Sequence, residues 1–406
     1  MKSTTRFQLS FMMFLEFFIW GGWFVTLGTF LGNNLNAADG EIAAAFSTQS
    51  WGAIIAPFII GLIADRYFNA EKILAVLHLV GAALMYLMYQ STEFGVFYPY
   101  VLGYMIAYMP TLALVNSVAF NQMKDPSKDF PLIRVWGTGG WIIAGILISY
   151  LGWDSEQGVA DGLLANTFLM VAIASGILGL FSFTLPATPP SAKGEKVSLA
   201  DILGLEALGL LKDRNFLVFF LSSVLICIPL AFYYTNLSPF LTESGVENST
   251  AWAALGQGSE IVFMLLLPLF FKRFGFKKTI LVGMLAWAIR YVLFAYGNAG
   301  DLFFLVITGI ALHGICYDFF FVSGQIYTDS KAGPKIKSAA QGLITLATYG
   351  VGMLIGFYIT GKITDQNLLT EGHDWNSVWI FPAVFALVVF VIFAVLFKKE
   401  KIEYKE

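Results

Sequence analysis

Long apolar runs dominate this sequence and limit what it can fold into. Each run has about twenty mainly apolar residues, enough to cross about 30 Å of hydrocarbon as a helix. Charged residues make up only 13% of the chain, against about 25% in soluble domains. The sequence therefore predicts an all-α polytopic membrane protein with twelve transmembrane helices. The expected spans lie near residues 9–31, 42–64, 72–92, 95–120, 131–152, 162–186, 216–241, 251–271, 279–297, 302–327, 338–363 and 376–397.

The distribution of basic residues predicts the orientation of these spans. If the amino terminus is cytoplasmic, only Arg290 and Lys362 of the 24 Lys and Arg residues fall outside the segments expected inside. The outside loops at 32–41, 153–160 and 242–250 contain acidic residues and no Lys or Arg. Because cytoplasmic loops are enriched in Lys and Arg, we expect both termini in the cytoplasm.

A polar stretch near the middle of the chain predicts the domain organisation. Residues 187–214 contain a Pro-Pro pair and several Lys residues, which is typical of a cytoplasmic linker. We expect an N-terminal six-helix bundle over 1–186, and a C-terminal six-helix bundle with a short cytoplasmic tail over 215–406. Two bundles of this kind are the arrangement used by transporters that bind substrate near the membrane midplane.

Several function classes find no support in the sequence. No basic patch with interleaved aromatic residues predicts nucleic-acid binding. The two cysteines, Cys227 and Cys316, lie inside apolar runs and form neither a disulfide framework nor a metal-ligand cluster. We find no H-E-x-x-H motif and no nucleophile elbow. The sequence therefore predicts no enzyme, no metal site and no cofactor.

Ionisable residues within the apolar runs are the candidate functional residues, because a charge at the centre of a membrane helix costs at least about 2.5–3.5 kcal/mol. In the first run, Glu16 shares a helical stripe with Trp20 and Trp23, which predicts a platform for a flat polar ligand or a site of interhelical packing. In the fifth run, Arg134, Thr138 and Trp141 share one face. The alternative for Arg134 is an arginine that extends to the inner membrane surface.

The carboxy-terminal half contributes a second group of candidates. Gln257 and Glu260 are three residues apart on one helix face, and His313 and Tyr317 are four apart on another. Asp318 follows among aromatic residues, where a carboxyl suits a group that takes up and releases a proton. We expect these residues to bind a substrate and to couple its movement to a proton.

The other ionisable residues receive simpler interpretations. Arg290 is expected to pair with an acid or to reach the outer headgroups, with a structural role favoured. His78 is expected to be packed or at the lipid edge, and His373, in a loop, is given no role. The loop after the second run contains Gly61, Asp65 and Arg66, a pattern that can latch a neighbouring helix end in one conformation.

Several longer stretches resemble a known family. The loop after the second run is similar to the signature of the major facilitator superfamily, and strings along nearly the whole chain resemble the bacterial nucleoside:proton symporters. The matching strings are WGGWFVTLG (20–28), AYMPTLALVNS (107–117), DFPLIRVWGTGGW (129–141), SEIVFMLLLPLFFKRFG (259–275), AWAIRYVLFAYG (286–297), YDFFFVSG (317–324) and SAAQG (338–342).

The resemblance implies a fold of two pseudo-symmetric six-helix bundles that carries nucleosides inward with a proton. Members usually work as monomers in the bacterial cytoplasmic (inner) membrane. The matching residues would form an amino-terminal and a carboxy-terminal binding surface, with Glu260 and Asp318 tied to ribose binding and proton coupling. These residues are Arg134, Thr138 and Trp141 on the first surface, and Gln257, Glu260, Tyr317 and Asp318 on the second.

Some positions depart from the family pattern. Pro229 and Phe232 stand where the seventh span of the family has amides, and only Asn236 lies nearby. Glu16 stands in place of a neutral amide, and His313 in place of a tyrosine. We expect a proton-coupled nucleoside symporter that works by alternating access. The alternatives are a symporter for sugars or other small polar solutes and, more remotely, a membrane solute sensor or enzyme.

Overall fold

The computed structural model describes residues 2–59, 67–123, 126–190, 205–332 and 336–400, and these ranges are almost entirely helical. Within them, ten helices are long and apolar enough to cross a membrane. The α-helices are α1 Ser3–Gly21, α2 Leu27–Asn34, α3 Asp39–Ile59, α4 Ala70–Tyr89, α5 Phe94–Asn121, α6 Pro126–Tyr150, α7 Glu156–Ala160, α8 Asn166–Ser182, α9 Arg214–Glu243, α10 Ser249–Tyr296, α11 Phe303–Ala311, α12 His313–Tyr317, α13 Ser323–Ala332, α14 Lys337–Thr345, α15 Met353–Gln366 and α16 Trp375–Leu396.

The first expected span is interrupted. α1 ends at Gly21 and the chain resumes a helix only at Leu27, so the run predicted as one helix over 9–31 forms two. A Cβ at Gly21 would lie 2.8 Å from the Trp141 ring, and a Cβ at Gly22 would lie 2.8 Å from the Val171 side chain. Glycine at this bend therefore permits close packing on neighbouring helices.

Three further irregularities lie in the carboxy-terminal half of the chain. α10 is broken at Gly275, where φ is +73° and ψ is 173°, so the expected spans 251–271 and 279–297 are the two halves of α10. The span predicted over 302–327 contains a π-helical turn at Asp318–Val322, and the next contains another at Leu346–Gly352. Such turns insert an extra residue into a helix and recur at functional sites.

The chain divides into two compact units. Unit 1 comprises Met1–Ala37, Trp51–Ser198 and Glu247–Ala254, and unit 2 comprises Ala38–Ser50, Leu199–Val246 and Leu255–Glu406. α3 and α10 each begin in one unit and continue in the other. The expected linker over 187–214 falls partly, at 191–204, outside the described residues, and the division of the chain at that linker stays a prediction.

Close backbone contact holds α1 against α6 in unit 1. A Cβ at Gly140 would overlap the Phe14 carbonyl oxygen of α1, whereas a Cβ at the neighbouring Gly139 would meet no atom within 4 Å. Small residues at such contacts let membrane helices approach until their backbones touch. This contact fixes the position of the α6 face that carries Arg134 and Trp141 relative to α1.

Candidate functional site

Unit 1 brings most of the amino-terminal candidates onto one aromatic surface. The Arg134 guanidinium carbon lies 3.9 Å from the centre of the Phe17 ring, a cation–π contact. The Trp20 and Trp141 rings meet edge to face with centroids 5.6 Å apart. Arg134, Trp20 and Trp141 are all partly exposed, as is Thr138 one turn beyond Arg134. The surface therefore presents a guanidinium, a hydroxyl and two indoles.

Glu16 does not present its carboxylate to this surface. The side chain is fully buried, with Oε2 2.8 Å from His78 Nε2 and Oε1 accepting a hydrogen bond of 2.6 Å from the Thr111 hydroxyl. His78 Nδ1 lies 3.2 Å from the Ser175 hydroxyl. Glu16 and His78 therefore form a buried pair linking α1, α4, α5 and α8. Glu16 is held by other side chains, and His78 is packed rather than at the lipid edge.

Trp23 also lies away from the aromatic surface. Its indole is fully buried and packs edge to face on Tyr104, with ring centroids 5.4 Å apart, and at a tilt on Phe168. The helical stripe predicted to join Trp20 and Trp23 is disrupted because α1 ends at Gly21. In this structure Trp23 and the Glu16 carboxylate therefore lie away from the aromatic surface of unit 1, and their role in substrate binding stays a prediction.

Unit 2 brings Gln257 and His313 together in a polar chain. The carboxamide nitrogen of Gln257 lies 3.3 Å from His313 Nε2, and Arg290 Nη1 lies 3.2 Å from His313 Nδ1. The His313 ring stacks on Tyr233, with centroids 5.2 Å apart and planes 18° from parallel. Arg290 is fully buried, so the structure corrects the expectation that it reaches the outer headgroups.

Glu260 is positioned by close packing between α10 and α12. A Cβ at Gly314 would lie 2.6 Å from the Glu260 backbone nitrogen, and the Gly314 N–H donates to the Ser259 hydroxyl at 3.0 Å. The Glu260 side chain is 7% exposed. Glycine at 314 therefore allows the helix that carries His313 to lie directly against the helix that carries Glu260.

Asp318 opens the first π-helical turn and is fully buried. Neither of its carboxylate oxygens has a hydrogen-bond partner among the residues that the structure describes. The preceding residue, Tyr317, shares a hydrogen bond of 3.1 Å with the hydroxyl of Tyr349 from the second π-helical turn, and Phe321 stacks on that same ring. The two π-helical turns thus contact each other, with Asp318 at the start of one.

His373, which was assigned no role from its position in a loop, is the centre of an ionic cluster before α16. Its Nδ1 lies 2.9 Å from Glu243 Oε1 and its Nε2 lies 3.2 Å from Asp39 Oδ2. The Trp375 indole N–H donates to Glu243 at 2.9 Å. Burial alone would lower the pKa of His373, but the hydrogen bonds to Asp39 and Glu243 outweigh it and raise the pKa to about 9.

Three residues with defined polar partners were thus underestimated from the sequence: His78, Arg290 and His373. Their partners Glu16, His313 and Asp39 lie 62, 23 and 334 positions away along the chain. The signal available for Arg290 and His78 was an ionisable side chain within an apolar run, and no local pattern marks His373. Across the described ranges, no three His, Cys, Asp or Glu side chains are grouped so as to hold a metal ion. The latch residues Gly61, Asp65 and Arg66 lie outside the described residues.

Known proteins of similar sequence and structure match nearly the full length of the chain. Residues 2–402 match the family model described as Nucleoside H+ symporter. The Escherichia coli (strain K12) protein YegT is 46% identical over 98% of this chain and 95% of its own length. The xanthosine permease of the same organism is 33% identical over 98% of each chain.

A solved structure agrees with the fold. The crystal structure of a point mutant of the nucleoside transporter NupG superposes with a TM-score of 0.89 at 30% sequence identity, covering 97% of this chain and 100% of the other. The resemblance read from the sequence is therefore confirmed, as is the major facilitator fold. The chain belongs to the nucleoside H+ symporter family.

Proposed function

We propose that this protein takes up nucleosides together with protons by alternating access across the bacterial cytoplasmic membrane, as a monomer with both termini in the cytoplasm. Membership of the family supports the substrate class and the coupling ion. It also supports a transporter over an enzyme or a sensor. The roles of individual residues rest on the geometry of the two surfaces described above.

The observation that carries the proton-coupling role is the environment of Asp318. Its carboxylate is fully buried within a helix long and apolar enough to span a membrane, and the described residues offer it no hydrogen bond. A charge left unpaired in such a place is strongly unfavourable, whereas the neutral acid costs far less. We infer that Asp318 is stable when it carries a proton and loses that proton only when water or a partner reaches it.

The substrate contacts follow from the chemistry of a nucleoside. An aromatic surface suits stacking of a base, and the Trp20–Trp141 pair next to Arg134 supplies one in unit 1. Ribose hydroxyls need acceptors and donors, which Glu260 and Gln257 supply in unit 2. We propose that Thr138 and Tyr317 complete these contacts, and that His313 acts on the substrate through Gln257.

The test is uptake of radiolabelled uridine and adenosine by cells that lack their own nucleoside permeases. We expect accumulation that a protonophore abolishes and that excess sugars leave unchanged. Uptake that sugars compete away, with nucleosides inert, would support the small-solute alternative instead. Uptake that is indifferent to the protonophore would contradict proton coupling.

Variants at the two acids separate coupling from binding. Asp318→Asn cannot exchange a proton, so we expect it to lose accumulation against a gradient while it still exchanges nucleoside across the membrane. Glu260→Gln replaces one acceptor oxygen with an NH2 donor and removes the negative charge, so we expect loss of binding. Asp301→Asn, at an exposed carboxylate in the loop before α11, is the matched control and should transport normally. Normal accumulation by Asp318→Asn would refute its assignment.

A further inference from the structure

Arg290 is a buried cation that neither reaches the membrane surface nor forms an ion pair within the described residues. Its side chain has no exposed surface, and the guanidinium carbon lies 3.4 Å from the centre of the Tyr233 ring. Within the described part of the chain it forms no ion pair. Its Nη1 lies 3.2 Å from His313 Nδ1, and the guanidinium also interacts with the Tyr233 and Cys316 side chains.

The contact with Arg290 determines which nitrogen of His313 carries the hydrogen. A guanidinium has only donors, so Nδ1 of His313 must accept and must be unprotonated. A second proton on this ring would also place two positive charges side by side with no acid between them. His313 is therefore neutral, with its hydrogen on Nε2.

The state of His313 in turn orients the carboxamide of Gln257. His313 Nε2 is a donor, and a carboxamide nitrogen placed opposite it, 3.3 Å away, would set donor against donor. The oxygen and nitrogen of a carboxamide have nearly the same shape, so the hydrogen-bond network selects which faces the ring. The oxygen of Gln257 therefore accepts from His313, and its NH2 group points away from the ring.

We propose that Arg290 and His313 are positioning residues that hold Gln257 as a donor-only contact for the substrate. This inference rests on the proposed function of Gln257 in binding. The position then selects a hydrogen-bond acceptor on the nucleoside, either a carbonyl oxygen or unprotonated nitrogen of the base, or an oxygen of the ribose. A substrate that presents only a donor there would face the NH2 group without a hydrogen bond.

The hydrogen position on His313 is tested directly by 15N nuclear magnetic resonance of the full-length protein labelled at histidine. The chain has three histidines, and the His313→Gln variant identifies the signal of residue 313. We expect one unprotonated Nδ1 and one protonated Nε2 at neutral pH. In Arg290→Met we expect a mixture of forms, and in Arg290→Lys, which keeps a donor-only cation, the original pattern. A doubly protonated ring, or hydrogen on Nδ1, in the unmodified protein would overturn the proposal.

The effect on selectivity is tested by binding of uridine analogues to the purified protein. One arm removes the 4-carbonyl oxygen of the base, and the other removes single ribose hydroxyls. We expect one analogue to bind about fivefold to tenfold more weakly than uridine, which is the effect of one hydrogen bond. In Gln257→Ala this difference in affinity should vanish. It should also shrink in Arg290→Met and return in Arg290→Lys. Arg273→Gln, at an exposed arginine of α10, is the control.

These outcomes separate two roles of Arg290. In the first, the relay, Arg290 orients the Gln257 carboxamide through His313; in the second, it only supports the fold. If Arg290→Met weakens uridine and every analogue by the same factor, Arg290 only supports the fold and the relay is wrong. If no nucleoside binds to the unmodified protein, the proposed function fails, while the resonance pattern of His313 still reports on the relay. The two failures therefore produce different results.

Discussion

The ionic cluster around His373 should make the stability of the protein depend on pH. The pKa of His373 is about 9 against an ordinary value of 6.5, a difference equivalent to about 3 kcal/mol if nothing screened it. The Glu243 side chain is 30% exposed, and screening by water lowers the contribution to about 1–2 kcal/mol. Because the protonated ring makes the ion pairs, this stabilisation is complete below pH 6.5 and is lost as pH rises through 9.

His373→Gln removes the charge but keeps a polar side chain of similar reach. We expect its melting temperature in detergent to fall by about 2–4 °C at about pH 6, and the difference from the unmodified protein to disappear near pH 10. Glu371→Gln, at an exposed acid of the same loop, is the control and should melt normally throughout. If the His373→Gln deficit stays constant up to about pH 10, the charge of His373 does not stabilise the fold and the reasoning fails.

Two further predictions concern unit 1. His78→Phe leaves the fully buried Glu16 without its partner, so we expect the free energy of unfolding to fall by about 3–5 kcal/mol. The melting temperature should fall strongly, and adding Glu16→Gln should largely restore it. If His78→Phe alone melts normally, the pair is dispensable. Gly140→Ala places a methyl group on the Phe14 carbonyl oxygen, so we expect poor yield of folded protein in size-exclusion chromatography, with Gly139→Ala folding normally. Equal yields would show that α1 and α6 separate easily.

The positions of the helices were largely predictable, because the bilayer requires each spanning segment to be long and apolar. Ten of the twelve expected spans correspond to helices that meet this criterion in the described ranges. The interruption after Gly21 and the π-helical turn at Asp318 were not predicted. Both depend on contacts with other helices, and hydropathy carries no information about those contacts.

The candidate site was predicted in part, for a related reason. Arg134, Trp20 and Trp141 were identified because helical spacing places polar and aromatic side chains on one face. The same spacing wrongly joined Trp23 to that face, because the helix ends before it. The pairing of His313 with Arg290 joins residues of two different helices, and a single sequence contains no record of which helices meet.

The two touching π-helical turns have a consequence for how this chain can vary. A π-helical turn holds one residue more than the α-helical turn that would replace it. Deleting one residue within Asp318–Val322 would convert the turn to ordinary α-helix and leave the residues after it on nearly the same faces of the helix, because one full turn remains one full turn. The deletion would remove the wider turn from which Phe321 stacks on the Tyr349 ring. A one-residue deletion here would therefore disturb the contact between the two turns rather than the orientation of the rest of the helix.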